Sequence, residues 1–359
     1  MKVYRLYLSL AFLAMGVFSS CSSSETKGIK DIMSLPVHPI ESSEQYNKQE
    51  LITRIPWEFH RIGDNFFVFN GVPNSAALVF RMSDCQLLGE FVSKGMGPGE
   101  CVTPRYAGCN AEEDTVYIYD TSKIKMFKYE IPKEQTDSFQ YKFVDEKLSS
   151  YKEMHMMTSR LENGLSVSMR YSGTRHMFTL YNEQMDSLCT FGSLPLPIED
   201  DELKNLIQFQ GIMTTEGNTV YYGCKLIPYL CAYEVNGKDD IQLKYAHNYL
   251  SVPYTYTDRI AIDRKRNIEA FRDIKIGGDY LWTTFMGKTS QSIDENPDGQ
   301  IAEYLLVFSK KDGLPVAKFK LPHQGSHICF SKDVKELYHF TSDLNIDVVK
   351  VQELLDVFE

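Results

Sequence analysis

The sequence lacks most of the short patterns that would assign a chemistry at once. Its eight cysteines include no C-x-x-C pair, which excludes a zinc ribbon and a thioredoxin-like redox motif. No G-x-S-x-G occurs, and no cysteine stands in a context that would lower its pKa, so no nucleophile is announced. There is no polybasic run. Lys and Arg number 38 against 48 Asp and Glu, a net charge of −10, and such a chain lacks the cationic face a general nucleic-acid binder needs to displace counterions from phosphates. The one extended apolar run, Leu6 to Phe18, is about a dozen residues, short of the roughly 20 that span a bilayer as a helix. Sustained helical periodicity is scarce. Carboxylate pairs such as Asp200-Asp201 and Asp239-Asp240 fall in polar turns, where such pairs are ordinary.

What is present begins with an address. Lys2 and Arg5 precede the apolar run, and Phe18-Ser19-Ser20-Cys21 resembles a bacterial lipobox, with Phe in place of the usual Leu or Val. The expectation is cleavage between Ser20 and Cys21 and lipidation of Cys21, with Ser22 to Lys27 as a flexible tether. The alternative is a plain secretory signal cut near Ser20, leaving Cys21 an ordinary thiol. Loss of Lys2 and Arg5 would leave 36 basic residues against 48 acidic, a charge of −12. The expected organisation is a signal over 1–20, a lipid-anchored spacer over 21–47 and one folded body over 48–359.

That body carries a repeat. A polar turn with Asp or Asn, followed by alternating apolar residues, recurs at Asp64, Asp114, Asn163, Asn218, Asp279 and Asp333, with spacings of 50, 49, 55, 61 and 54 residues. A second apolar run follows most anchors, as in Ala76-Ala77-Leu78-Val79-Phe80 and Tyr304-Leu305-Leu306-Val307-Phe308. Six units of about fifty residues match four-stranded propeller blades. The predicted fold class is therefore all-β: a six-bladed β-propeller of four-stranded antiparallel blades with minor helical insertions, expected at 200–209 and 264–274. A strand at 50–55 is expected to pair near Asp347–Val351 and close the ring, since an open ring would leave two unpaired edges.

Gly95-Met96-Gly97-Pro98-Gly99-Glu100, with Pro104, Tyr117-Ile118-Tyr119-Asp120 and Lys125 after it, resembles the G-x-G-P-G-E signature of TolB-like/NHL-like six-bladed β-propeller lipoproteins from Bacteroidetes. Cys101 stands where that group usually shows an aromatic. The resemblance implies a propeller fold and an envelope location. The residues themselves read as a preset structural turn between blades: the glycines permit positive φ, Pro98 fixes its own, and no Lys-Ser/Thr follows as a phosphate loop would require.

Candidate ligand sites are few. Asp294, Asn296 and Asp298, followed by Gly299, match the start of a calcium loop, with Glu303 as a further oxygen donor; the same residues also make an ordinary polar hairpin tip. His323 and His327 have ligand types, but Pro322 and Gly325 argue for a loop. Cys224 and Cys231 would face each other in a hairpin centred on Ile227/Pro228, as a disulfide or as two buried thiols. Tyr171, Tyr254 and Tyr256 are candidate rim aromatics. Catalytic residues are unassigned, and no cofactor is expected unless calcium occupies that loop. The function expected is a lipid-anchored envelope scaffold that binds a glycan, peptide or partner protein, touches the membrane only through its lipid, and does not bind nucleic acid. The alternative is a metal-dependent propeller hydrolase, lactonase or lyase.

Overall fold

A computed structural model describes residues 31–359 apart from 42–43, 49, 133–137, 151–154, 171–172, 175, 197–201, 204–208, 257–259, 297–300 and 359. Cys21, the cleavage site at Ser20 and Asp298 lie outside the described residues.

Each anchor turn sits between the first two strands of a blade. The six innermost strands are Glu58–Ile62, Pro104–Cys109, His155–Arg160, Gly211–Glu216, Ile268–Gly277 and Gly325–Phe330. Each begins a four-stranded antiparallel sheet, so the chain forms six blades around a central channel. Second strands are sandwiched between neighbouring blades and read as nearly continuous apolar runs: Asn65–Phe69 is buried throughout, as is Thr219–Cys224. Outermost strands face solvent and are polar, as in Asp240–Asn248. Flat aromatic side chains fill the space between blades one and two, where Phe67 meets Phe91 edge-on at 5.4 Å between ring centroids. Phe178 and Tyr222 do the same between blades three and four at 5.3 Å.

The chain start closes the ring, but not with the expected segment. Glu44–Asn47 supplies the outer strand of blade six, pairing antiparallel with Asn345–Lys350, Glu44 opposite Val348. Gln45 fixes this register by donating from Nε2 to the buried Asp347 at 2.8 Å, and Tyr46 packs on the core between blades six and one. Residues 50–55 instead cross to blade one: Thr53 and Arg54 both donate backbone N–H groups to Gly71 O. Val37–Pro39 adds a fifth, parallel strand to blade five beside Pro315–Lys320. Ile32 and Leu35 are buried in the core between blades four and five, and Ile40 in the core between blades five and six. The spacer therefore does not extend to residue 47; the segment from Ile32 belongs to the fold, because its apolar side chains cover blade surface that would otherwise be wet.

The helix expected at 264–274 is a strand. Ile268–Gly277 is the inner strand of blade five, where ladder pairing and burial on both faces override the polar composition of its first half. The helix expected at 200–209 falls largely outside the described residues. Helices are found at Ser290–Glu295 and Val351–Leu355. Cys224 and Cys231 are not joined as a disulfide: Cys231 pairs with Tyr222, two residues from the register a disulfide would need. Both thiols act as small core hydrophobes.

Candidate functional site: the central channel

The inner strands bring one residue from every blade to a common level. His60, Asn110, Ser159, Thr214, Lys275 and Cys329 line a cavity of about 350 Å³ that opens on the anchor-turn face. Arg61 and Glu113 form a bidentate pair at its rim, at 2.6 and 3.0 Å, with Lys332 3.7 Å from the same carboxylate.

Beyond this cavity the channel is crossed by ion pairs. Glu58 is buried; its Oε1 is 3.3 Å from Arg105 Nη1, and its Oε2 accepts the Tyr106 N–H at 3.0 Å. His60 packs against the Tyr106 ring, tilted by 33° with centroids 4.1 Å apart, and its Nε2 is 3.4 Å from Glu58. Burial would raise the Glu58 carboxyl pKa, but His60, Arg105 and the Tyr106 amide outweigh it and hold the group well below the usual range. Burial pushes the His60 imidazole down to about 4, and the Lys275 charge adds to that, so His60 is neutral at pH 7.

On the opposite wall Asp273 is buried, accepts from Lys275 Nζ at 2.8 Å and from the Ile328 N–H at 3.0 Å, and has His327 at 3.7 Å. Burial opposes its ionisation, but Lys275 and His327 hold it ionised. Next to it, Glu269 receives a 2.9 Å bond from Arg272. Blades three and four add Met157 and Met213 to the cavity lining, together with the charged Arg160, Glu162 and Glu216.

The far mouth, where the connections between blades run, is cationic. Lys225, in the turn after Thr219–Cys224, is close enough to Arg105, Arg272, Glu58 and Asp273 for all four charges to act on it. Burial, then Arg105 and Arg272, bring its ammonium down to about 8. Trp57 stands half-exposed at this mouth, with the Arg105 guanidinium 4.3 Å from its ring centroid and Lys94 at 5.9 Å. Lys94 also donates to Asn70 Oδ1 at 3.0 Å.

The residues singled out by sequence lie elsewhere. Gly95 to Glu100 is the connection from blade one to blade two. Glu100 folds back so that its carboxylate accepts the Gly97 N–H at 2.7 Å, and Lys123 donates to Glu100 O at 2.7 Å. A Cβ on Gly95 would stand 2.1 Å from that carboxylate, and Gly99 has φ +67° against Phe143, so small residues are required there. Cys101 is buried, with its thiol 3.6 Å from Tyr129 Oη. Asp294 lies in the Ser290–Glu295 helix and is gripped by Arg264; Asn296 is that helix's C-cap; Glu303 is bound by Lys288 and Lys320 at 2.6 and 2.5 Å. His323 bonds Asp347 at 2.8 Å, so the two histidines serve different aspartates. Tyr254 and Tyr256 pack against the core of blades three and four. Among the described residues no group of three or more His, Cys, Asp or Glu gathers as a metal site.

No protein-family model matches the chain, and no curated protein is similar to it in sequence. Solved structures share its shape. An exported protein of Bacteroides fragilis aligns over 84% of this chain and 86% of its own, with a TM-score of 0.51 at 12% identity. The WD40 repeats of RRP9 align over 88% and 99%, with a TM-score of 0.52 at 7% identity. At such identities the likeness shows the fold alone. Fold and site together define a class: a six-bladed β-propeller whose channel is lined by buried charge.

Proposed function

We propose that this protein is a lipid-anchored β-propeller of the cell envelope that binds a glycan, peptide or partner protein at its channel. The observation that carries the reading is the convergence of polar side chains from all six blades on one cavity, held by strands that packing makes rigid. The exported neighbour, the signal-like start and the Gly95–Glu100 connection support placement with the TolB-like/NHL-like envelope lipoproteins. No helix among the described residues is long and apolar enough to cross a membrane.

The alternative, a metal-dependent hydrolase or lyase, draws less support from the donor set. Glu58 already accepts one backbone N–H and a guanidinium, and Asp273 accepts the Ile274 and Ile328 N–H groups and the Lys275 ammonium, leaving few lone pairs for an ion. The test is a capture screen with the full chain against glycan, peptide and envelope-protein panels, followed by hydrogen exchange. Binding with protection of the inner strands is expected. Turnover of a substrate without retained binding would overturn the reading. Palmitate labelling lost in Cys21→Ala tests the anchor.

A further inference from the structure

We propose that the connections leading into blades one and two, residues 50–57 and 94–103, form a membrane-docking surface. Ile55, Trp57 and Met96 enter an anionic bilayer there, while Arg54 and Lys94 meet its phosphates. The folded body then touches the membrane itself and does not hang from its lipid alone.

Blade packing buries most large apolar side chains of this chain. Of the twelve that are exposed among the described residues, five lie on these two connections: Leu51, Ile55, Trp57, Met96 and Val102. Ile55 at 82% and Met96 at 79% are the two most exposed of the twelve. Such a concentration marks a contact surface. Asn70 ties the two connections together: its Nδ2 donates to Ile55 O at 3.2 Å, and its Oδ1 accepts from Lys94 Nζ at 3.0 Å. The same Lys94 Nζ lies 5.9 Å from the Trp57 ring centroid, and the Arg105 guanidinium lies 4.3 Å from it. Arg54 is held alongside by its N–H bond to Gly71 O at 3.1 Å. Ile55, Trp57 and Lys94 therefore share one surface, and Met96 follows Lys94 by two residues.

The mixing of charge with apolar surface favours a bilayer over a protein partner. Protein interfaces deplete charge from their apolar centre. Here cations alternate with the apolar side chains, Arg54 before Ile55 and Lys94 before Met96. That order suits lipid: apolar tips reach the acyl boundary, cationic heads stay with the phosphates, and tryptophan favours the same depth. The sign fits as well. Arg54, Lys94 and Lys123 have no carboxylate partner among the described residues, and Lys123 bonds instead to Gly97 O and Glu100 O. The acids of the two connections are Glu50 and Glu100, and Glu100 is turned onto the Gly97 N–H. An anionic surface repels a chain of net charge −10, so a cationic sector also sets which way the body faces. With this end on the bilayer, the 350 Å³ cavity on the anchor-turn face points away from it and stays open to a ligand.

The test uses the full chain in vesicles of equal parts phosphatidylcholine and phosphatidylglycerol, with and without bromine on the acyl chains. Trp57 is the reporter, because the other tryptophan, Trp282, is fully buried. Bromolipid should quench the Trp57 emission, taken as the difference from Trp57→Phe, at least twofold. Arg54→Gln with Lys94→Gln should weaken docking about fivefold per charge removed. Ile55→Ser with Met96→Ser should also reduce the quenching at least twofold, whereas Leu243→Ser, exposed on the outer strand of blade four, should leave it unchanged. Circular dichroism of each variant checks that it is folded. Absence of quenching, or equal quenching in phosphatidylcholine alone, overturns the proposal. Capture of an envelope protein that Ile55→Ser with Met96→Ser abolishes, with Trp57 unquenched, also overturns it and makes the patch a protein-docking surface. Quenching is counted per chain that floats with the vesicles, so loss of lipidation at Cys21 leaves the test readable. A chain that does not float overturns docking, and palmitate labelling then decides whether the anchor falls with it.

Discussion

Removing residues 1–47, a cut placed where the sequence pattern first becomes regular, should open the ring. The truncation deletes Glu44–Asn47, the outer strand of blade six, and Val37–Pro39 from blade five. It also removes Ile32, Leu35 and Ile40, none more than 7% exposed. Burying side chains of this size is worth ~1.5–3 kcal/mol each, so their loss costs roughly 5–9 kcal/mol. The four ladder positions of Glu44–Asn47 add about 1 kcal/mol for each backbone hydrogen bond lost. Domains are stable by only about 5–15 kcal/mol, so the truncated chain should be largely unfolded or open. Urea unfolding followed by far-ultraviolet circular dichroism, comparing 31–359 with 48–359, reads this directly. An equal midpoint and slope for the two would refute the closure argument. Tyr46→Pro in the longer chain tests the same strand without changing length, because proline removes the amide that pairs opposite Ile346.

Other outcomes follow from single sites. Gly99→Ala should lower the melting temperature more than Gly217→Ala: both have positive φ, worth about 1–2 kcal/mol of strain, but only Gly99 would also drive a Cβ to 2.8 Å from the Phe143 ring. Glu58→Gln should destabilise by about 3–5 kcal/mol in denaturant titration, since it leaves Arg105 facing a neutral amide in a buried channel. Acid should weaken the fold well before carboxylates titrate. His60 and His155 are pushed down to about 4 by burial, so between pH 6.5 and 4 the unfolded chain binds protons that the native state refuses. Stability should therefore rise with pH across that window and be fully present above 6.5. An unfolding midpoint that stays flat from pH 4.5 to 7 would contradict this.

Much of the architecture was legible because propeller blades repeat. The anchors at Asp64, Asp114, Asn163, Asn218, Asp279 and Asp333 all fall in turns between first and second strands. The channel was legible too, though not as a contiguous motif. His60, Asn110, Ser159, Thr214, Lys275 and Cys329 each stand four residues before an anchor, and together they line the cavity. Six residues before the anchors stand Glu58, Asp273 and His327 among others. Equivalent positions in a ring meet at its axis, so a column of the repeat is a layer of the channel. A search for contiguous motifs passes over such residues because they are some fifty positions apart in sequence.

The sequence by itself determined the number of blades and their four-stranded antiparallel make-up. Local periodicity and turn chemistry suffice for these. Only the tertiary structure decided which early segment closes the ring. Residues 50–55 carry the more strand-like, aliphatic pattern, yet the polar 44–47 closes the ring, a choice that depended on the buried Asp347 accepting from Gln45 and on where Tyr46 finds its core. Tertiary structure also decided the charge pairing in the channel. Glu58 of blade one meets Arg105 of blade two, and Asp273 of blade five meets His327 of blade six, because pairing across the channel depends on which blades are neighbours.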